Sequence, residues 1–94
     1  MKVNFKFVGS FRNMTNKNKV VMELDEGAKL KEAIKSIIEE FPKIEKALID
    51  PELGDPRPNT LIVVNGREIS VLKGLETVLR DGDEVVFIPV SHGG

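Results

Sequence analysis

The sequence has no cysteine, tryptophan or tyrosine, and only one histidine among its 94 residues. The lack of cysteine excludes disulfides, thiolate catalysis and cysteine-ligated metals, and it fits a reducing compartment. No apolar run is longer than four residues, as in Leu61 to Val64, whereas a membrane-spanning helix needs about 20 apolar residues. We therefore expect a soluble, cytoplasmic protein.

A strong charge of one sign is also missing. The chain has 14 Lys and Arg residues against 15 Asp and Glu residues, a formal net charge of −1. Proteins that bind nucleic acid usually carry a basic stripe or face. The nearest equivalent is Arg12 with Lys17 and Lys19, which is more typical of a solvated turn. We therefore expect no direct binding to nucleic acid.

The first part of the chain predicts a β-hairpin. Lys2 to Val8 and Lys19 to Asp25 alternate polar and apolar residues, the pattern of half-buried strands. Gly9 and Ser10 interrupt the alternation. The polar, asparagine-rich segment from Arg12 to Asn18 is typical of a loop between two strands.

The apolar spacing then changes to that of a helix. Apolar residues recur three and four positions apart, and charged residues fill the other side. Pro42 should end this helix because proline cannot donate the next helical hydrogen bond. The residues of the apolar stripe are Leu30, Ala33, Ile34, Ile37, Ile38 and Phe41.

The second half of the chain predicts three more strands. Asp50 to Asn59 holds three prolines and is expected to be a surface loop. Thr60 to Val64 is a continuous apolar strand typical of a sheet interior. Asn65-Gly66 favours a tight hairpin turn into a short strand. The last strand, Glu84 to Val90, is apolar on both faces.

The element order is therefore β-β-α-β-β-β, and it indicates the α+β class. The first and last strands should be parallel neighbours at the sheet centre, since both are strongly apolar and need cover from the helix. One helix crossing one face of a mixed sheet is the β-grasp arrangement. We expect residues 1–90 to form this single domain and residues 91–94 to be a flexible tail.

Candidate catalytic residues are few. His92 lies third from the end of the sequence, where it is poorly placed to be a preorganised base, and its neighbour Ser91 would point away from it. Asp81, Asp83 and Glu84 are more typical of an acidic turn than of a cation site. We therefore predict no catalytic residues, no metal and no bound cofactor.

Gly93 and Gly94, the last two residues of the sequence, are the most informative pair. Glycine has no Cβ and can adopt conformations that other residues cannot. A carboxylate at the end of such a segment could reach into a narrow active site of another protein. The segment could also pair there as an added strand. This pattern predicts a carried substrate and not a catalyst.

Three segments carry a resemblance to a known superfamily: Thr60 to Ile69, Gly74 to Leu79, and Asp81 to Pro89, followed by the Gly-Gly end. They resemble the ubiquitin-like sulfur carriers of the MoaD and ThiS type. That superfamily includes the small archaeal modifiers and the ubiquitin-related modifier. The similarity runs over nearly the whole chain.

The resemblance implies a reaction cycle at Gly94. A ubiquitin-activating-like enzyme would use ATP to adenylylate the carboxyl group, and a sulfurtransferase would then supply sulfur for a thiocarboxylate. That sulfur would pass to a pterin precursor or to a tRNA uridine. In the modifier branch, the activated carboxyl would instead join a target lysine through an isopeptide bond.

The resemblance also implies partner-contacting residues. Arg12, which follows Phe11, matches an arginine that contacts the activating enzyme. Ile88 matches an outward apolar position used for docking, and Val86 lies on the same face by alternation. For both, a place in the sheet core is the alternative. The ending His92-Gly93-Gly94 is similar to that of the ubiquitin-related modifier, which makes His92 a further candidate for partner contact. The molybdopterin type ends Pro-Pro-Val-Ala-Gly-Gly instead.

Two alternatives stay open from the sequence. Within the superfamily, the chain could be the small subunit of molybdopterin synthase, whose tail would insert into a larger subunit. From a different class, it could be a plain β-grasp interaction module with an incidental Gly-Gly ending.

Overall fold

The computed structural model describes residues 1–90, which form one mixed five-stranded sheet with helices packed on one face. The strand order is β2-β1-β5-β3-β4. Strands β1 and β5 are parallel, and every other neighbouring pair is antiparallel. The elements are β1 (Lys2–Phe7), α1 (Ser10–Thr15), β2 (Lys19–Glu23), α2 (Leu30–Glu40), α3 (Glu45–Leu48), β3 (Thr60–Val64), β4 (Arg67–Glu68) and β5 (Glu84–Pro89).

This topology confirms the predicted β-grasp fold. The first and last strands are parallel neighbours, as expected from their apolar composition, and β3 lies inside the sheet. The Asn65-Gly66 turn joins β3 to β4 with both residues at positive φ, +49° and +80°. Such a turn matches the twist of the two strands it connects.

The core lies between α2 and one face of the sheet. Phe5 and Phe87 stack with ring centroids 5.9 Å apart, and Phe7 and Phe87 stack at 6.1 Å. Phe41, at the end of α2, meets Phe7 edge-on at 5.6 Å. Aromatic pairs in these geometries stabilise a core beyond the area they bury. The helix contributes Leu30, Ala33, Ile34 and Ile37, all of them buried.

The predicted loop from Arg12 to Asn18 was wrong in part, because α1 occupies Ser10–Thr15. Phe11 is fully buried, and the Thr15 hydroxyl donates to the Phe11 carbonyl at 2.9 Å. Asn16 ends the helix in the left-handed conformation, with φ of +61°. A single apolar anchor in a six-residue segment gives no readable period, so the polar composition alone favoured a loop.

An ion-pair cluster attaches the segment before β5 to the start of α2. The Glu76 carboxylate lies 2.9 Å from Lys29 Nζ and 2.8 Å from Lys31 Nζ. These two hydrogen-bonded ammonium groups, Lys31 first, lower the pKa of Glu76 to about 2, and the Glu76 contact raises the pKa of Lys31. Backbone bonds run alongside, with Leu30 N–H donating to the Thr77 carbonyl at 2.8 Å.

None of the helices within residues 1–90 is long and apolar enough to cross a membrane.

Substituting Phe11→Ala should lower the free energy of unfolding by about 3–5 kcal/mol, because it leaves a cavity where a fully buried ring stood. Met14→Ala is the matched control, since Met14 lies on the same helix and is 39% exposed. We expect a change of roughly 0.5 kcal/mol there. Urea denaturation measures both. Equal losses would contradict the role of α1 as a core element.

Substituting Glu76→Gln should lower the urea midpoint at neutral pH and leave it unchanged in acid. The folded-state pKa of Glu76 is about 2 against an ordinary value of 4.5. Its stabilisation is therefore present above pH 4.5 and is lost as the pH falls towards 2. The measurement is the midpoint of both proteins across this window, at low and high salt. A difference that persists at pH 2 would contradict the ion-pair account.

Candidate functional site

The outer face of the sheet, away from α2, carries an apolar patch. On β5, Val85 and Phe87 are buried in the core, so the alternating Val86 and Ile88 lie on the opposite face and are partly exposed. In the register of β3 with β5, Leu61 pairs with Ile88 and Val63 pairs with Val86. We call Leu61, Val63, Val86 and Ile88 the outer sheet patch.

The sequence left open whether Val86 and Ile88 lie in the sheet core or on its outer face. The structure places both side chains on the outer face. The predicted outward set was also incomplete, because Leu61 and Val63 belong to the same patch. Their strand, β3, is apolar at every position after Thr60. The sequence of β3 therefore does not show which of its side chains face the core and which face outward. The burial pattern shows that Leu61 and Val63 are more exposed than Ile62 and Val64 on either side.

The end of β5 lies beside α1. Val8 N–H donates to the Phe87 carbonyl at 3.3 Å, and Val90 N–H donates to the Asn59 carbonyl at 2.9 Å. A Cβ added to Gly9 would lie 3.3 Å from Pro89 Cγ. Gly9 has φ of +59° and ψ of −131°, a conformation that residues with a side chain rarely adopt. A glycine here lets the chain turn into α1 in contact with the end of β5.

Arg12 is on α1, and its side chain is exposed. Helix α1 therefore places Arg12 at the end of the sheet where β5 finishes, the end that also holds Ile88. Ser91, His92, Gly93 and Gly94 lie outside the described residues. The roles predicted for Gly93, Gly94 and His92 stay predictions, as do the contacts predicted for Arg12, Val86 and Ile88.

The acidic turn before β5 uses its carboxylates in backbone and side-chain hydrogen bonds. Asp81 Oδ1 accepts from Lys2 N–H at 2.7 Å. Asp83 Oδ1 accepts from Asn65 Nδ2 at 2.8 Å, and its Oδ2 accepts from Arg80 N–H at 2.8 Å. The turn is thus tied to β1 and to the β3–β4 hairpin, as an acidic turn cap should be. Within residues 1–90, no group of three or more acidic or histidine side chains is placed to hold a metal ion.

The fold and the apolar outer face define a ubiquitin-like β-grasp protein. The chain belongs to the ThiS family, whose model matches residues 5–94. It is 31% identical over 94 residues to Small archaeal modifier protein 3 of Haloferax volcanii, covering 99% of this chain and 100% of that protein.

Two solved structures are similar over almost their full length. The small archaeal modifier protein 1 of Methanosarcina acetivorans is 25% identical with a TM-score of 0.83, covering 99% of this chain and 96% of that one. The Pyrococcus furiosus protein named "Putative molybdopterin converting factor, subunit 1" is 27% identical with a TM-score of 0.77. It covers 96% of this chain and 98% of that one. Two of these three relatives are named as modifiers, in agreement with the carrier and modifier superfamily predicted for this chain.

Substituting Gly9→Ala should cost roughly 1–3 kcal/mol of the free energy of unfolding, because alanine must adopt a conformation that strongly favours glycine. The added methyl would also meet Pro89 at 3.3 Å. Gly54→Ala is the control, since Gly54 has φ of +63° with nothing within 4 Å. Urea midpoints should fall further for Gly9→Ala. An equal or smaller fall would show that the contact between Gly9 and Pro89 does not constrain this end of the sheet.

Proposed function

We propose that this protein is a ubiquitin-like sulfur carrier and protein modifier whose Gly94 carboxyl group is activated by a ubiquitin-activating-like enzyme. Membership of the ThiS family, with the match extending to residue 94, is the observation that carries the proposal. The geometry supports it, because β5 ends beside both an exposed arginine and an outward apolar patch. A docked enzyme could hold these features while it reaches for the residues that follow Val90.

The proposed chemistry begins with ATP on the partner enzyme. A Gly94 carboxylate oxygen attacks the α-phosphorus of ATP, forms an acyl adenylate and releases pyrophosphate. A persulfide on a sulfurtransferase then attacks the acyl carbon, and AMP leaves. A thiol reduces the resulting acyl disulfide to the thiocarboxylate. In conjugation, a lysine amine attacks the acyl carbon of the adenylate, the bond to AMP breaks, AMP leaves and an isopeptide bond forms.

The absence of side chains on Gly93 and Gly94 suits this role. The carboxyl group must approach the α-phosphate inside an enzyme that excludes water from the adenylate. A Cβ on either residue would widen the segment that has to enter. The backbone N–H and C=O groups of such a segment can also pair with a strand of the partner.

The outer sheet patch and Arg12 are proposed to dock the activating enzyme. Apolar side chains at the centre of an interface supply most of its desolvation energy, and a planar guanidinium can make paired hydrogen bonds to a carboxylate. Val86 and Ile88 would lie at the centre of this contact and Arg12 at its rim. His92 is proposed to contact the same partner on the way to its active site.

A second candidate function is that of the molybdopterin synthase small subunit. The observation that favours it is the 27% identity to the Pyrococcus furiosus protein, over 96% of this chain. The full-length 31% identity to Small archaeal modifier protein 3 favours the modifier. Copurification with a larger synthase subunit, and insertion of residues 91–94 into it, would select the second candidate.

The direct test is incubation of the full chain with ATP, its cognate activating enzyme and a persulfide donor. Intact-mass spectrometry should first detect an AMP adduct. It should then detect a mass shift that corresponds to the replacement of one oxygen by sulfur, localised to Gly94. As a positive control, the same enzyme is incubated in parallel with another carrier that it is known to modify. If that carrier is modified and the mass of this chain does not change, the proposal is refuted.

Deleting Gly93 and Gly94 separates a carrier from a plain interaction module. The deletion leaves residues 1–90 intact, so we expect the urea midpoint not to change. A carrier should lose all adenylate formation. The new terminal carboxylate belongs to His92, which has a side chain, and the chain is two residues too short to bring that carboxylate to the active site of the enzyme. A module would keep its partner binding and its cellular function, and that result would favour the alternative class.

Substituting Ile88→Ser should weaken activation by roughly tenfold or more, since it removes an apolar side chain from the proposed contact. The matched control is Val21→Ser, an exposed valine on the edge strand β2. Pyrophosphate exchange at varied carrier concentration should show a raised KM for Ile88→Ser only. Equal effects of the two substitutions would contradict docking through the outer sheet patch.

A further inference from the structure

A second apolar surface lies on the segment between β4 and β5. Val71 is 71% exposed and Val78 is 52% exposed, among the most exposed large apolar residues of residues 1–90. They line one depression of about 650 Å³ together with Leu72. A second depression of about 430 Å³ adjoins it and shares Leu72 and Val78. We call Val71, Leu72 and Val78 the valine surface.

The backbone beneath the valine surface is held in place by several hydrogen bonds. Lys73 N–H donates to the Thr77 hydroxyl at 3.1 Å, and that hydroxyl donates to the Gly74 carbonyl at 2.7 Å. Leu79 N–H donates to the Ala28 carbonyl at 2.9 Å, which fixes the segment to the entry of α2. The exposed valines are therefore presented on a rigid support. Binding there would cost little conformational entropy.

The charges around the valine surface are mainly positive. Arg67, Lys73 and Arg80 line the two depressions, where Asp83 is the one acidic residue. Asp83 already accepts hydrogen bonds from Asn65 and from the Arg80 backbone. Within residues 1–90, none of the three basic side chains lies within ion-pair distance of a carboxylate.

The neighbouring acid Glu76 does not neutralise this surface. Its carboxylate is held between Lys29 and Lys31 at 2.9 and 2.8 Å, on the side of α2. It is therefore committed to a different part of the fold. The valine surface keeps an excess of positive charge on a chain whose net charge is −1.

We propose that the valine surface docks a short acidic peptide segment of a partner protein, with aliphatic side chains at its centre. The apolar floor would take the aliphatic side chains. Arg67, Lys73 and Arg80 would pair with flanking aspartate or glutamate. Charge complementarity of this kind selects partners and speeds association. Exposed apolar surface with a polar rim is typical of an interaction site.

The location leaves the predicted activation site free. The valine surface adjoins Asn65 and Asp83, next to the first residue of β5, whereas Val90 follows the last one. A six-residue strand separates the two ends by about 20 Å. A partner on the valine surface could therefore bind while an enzyme holds the outer sheet patch and the residues after Val90.

The experiment is a titration of the isotopically labelled full chain with synthetic peptides, followed by amide chemical shifts. The first peptide has a central aliphatic run flanked by aspartate and glutamate. The second keeps the aliphatic run but has lysine flanks, and the third keeps the acidic flanks around a serine run. Saturable shifts should appear with the first peptide only and cluster around Val71, Lys73, Val78 and Arg80.

Two variants test the apolar and the charged contributions separately. The double substitution V71S/V78S should weaken binding roughly tenfold or more, because both apolar contacts are lost. The double substitution K73E/R80E should weaken binding of the acidic peptide, and it should produce saturable binding of the lysine-flanked peptide, which the unchanged protein does not bind. V21S/K19E on β2 is the matched control and should change neither affinity. All four positions of the test variants are solvent-accessible, so urea midpoints should stay near that of the unchanged protein.

Several outcomes would overturn the proposal. These are no saturable shifts with the acidic peptide, equal affinity for the lysine-flanked peptide, or shifts that V71S/V78S leaves unchanged. Binding of a single-stranded RNA oligonucleotide to this surface without peptide binding would assign it to nucleic acid instead. Self-association abolished by V71S/V78S, measured by sedimentation, would assign it to a second copy of the chain.

Discussion

The parallel pairing of β1 with β5 is the constraint on which the rest of the structure depends. It stacks Phe5 and Phe7 against Phe87 and places these rings under α2. Because the two strands run in the same direction, they also finish at the same end of the sheet. The segment after β1 forms α1, and β5 ends beside that helix. The core contact thus brings α1, which carries Arg12, and the end of β5 to the same end of the sheet.

The same pairing places the two faces of β5 in different environments. Val85 and Phe87 are fully buried, whereas Val86 and Ile88 face outward beside Leu61 and Val63. A one-residue slip in register would exchange these sets, burying the outer sheet patch and exposing the core. The register is held at both ends, by the hydrogen bonds of the acidic turn before β5 and by Val90 with Asn59 after it.

Much of the fold could be predicted from the sequence because its periods are clear. The alternation in β1 and β2, the stripe of α2 and the Asn65-Gly66 turn each point to one structure. Helix α1 could not be predicted, because its formation depends on one tertiary contact, the burial of Phe11. The outward orientation of the Leu61 and Val63 side chains could not be predicted either. An interior strand that is apolar on both faces does not reveal which face is the core.

For the candidate site, the sequence indicated which residues could take part but not how they are arranged in space. Nothing in the local sequence says that Gly9 contacts Pro89, or that Arg12 and Ile88 share one end of the sheet, since these relations arise from the pairing of distant strands. The valine surface was likewise invisible, because Val71 and Val78 are apolar residues that a pattern assigns to a core. Their exposure is apparent only once the turn between β4 and β5 is folded.

The proposed function requires the carboxyl group of Gly94 to be the reacting group in the cell. Arg80 is the last lysine or arginine of the sequence, so trypsin should release a C-terminal peptide that begins at Asp81. Mass spectrometry of protein from the native cell should find this peptide as a thiocarboxylate, or attached through Gly94 to lysines of other proteins. Only the free carboxylate, in cells that carry out sulfur transfer and conjugation with other carriers, would contradict the account.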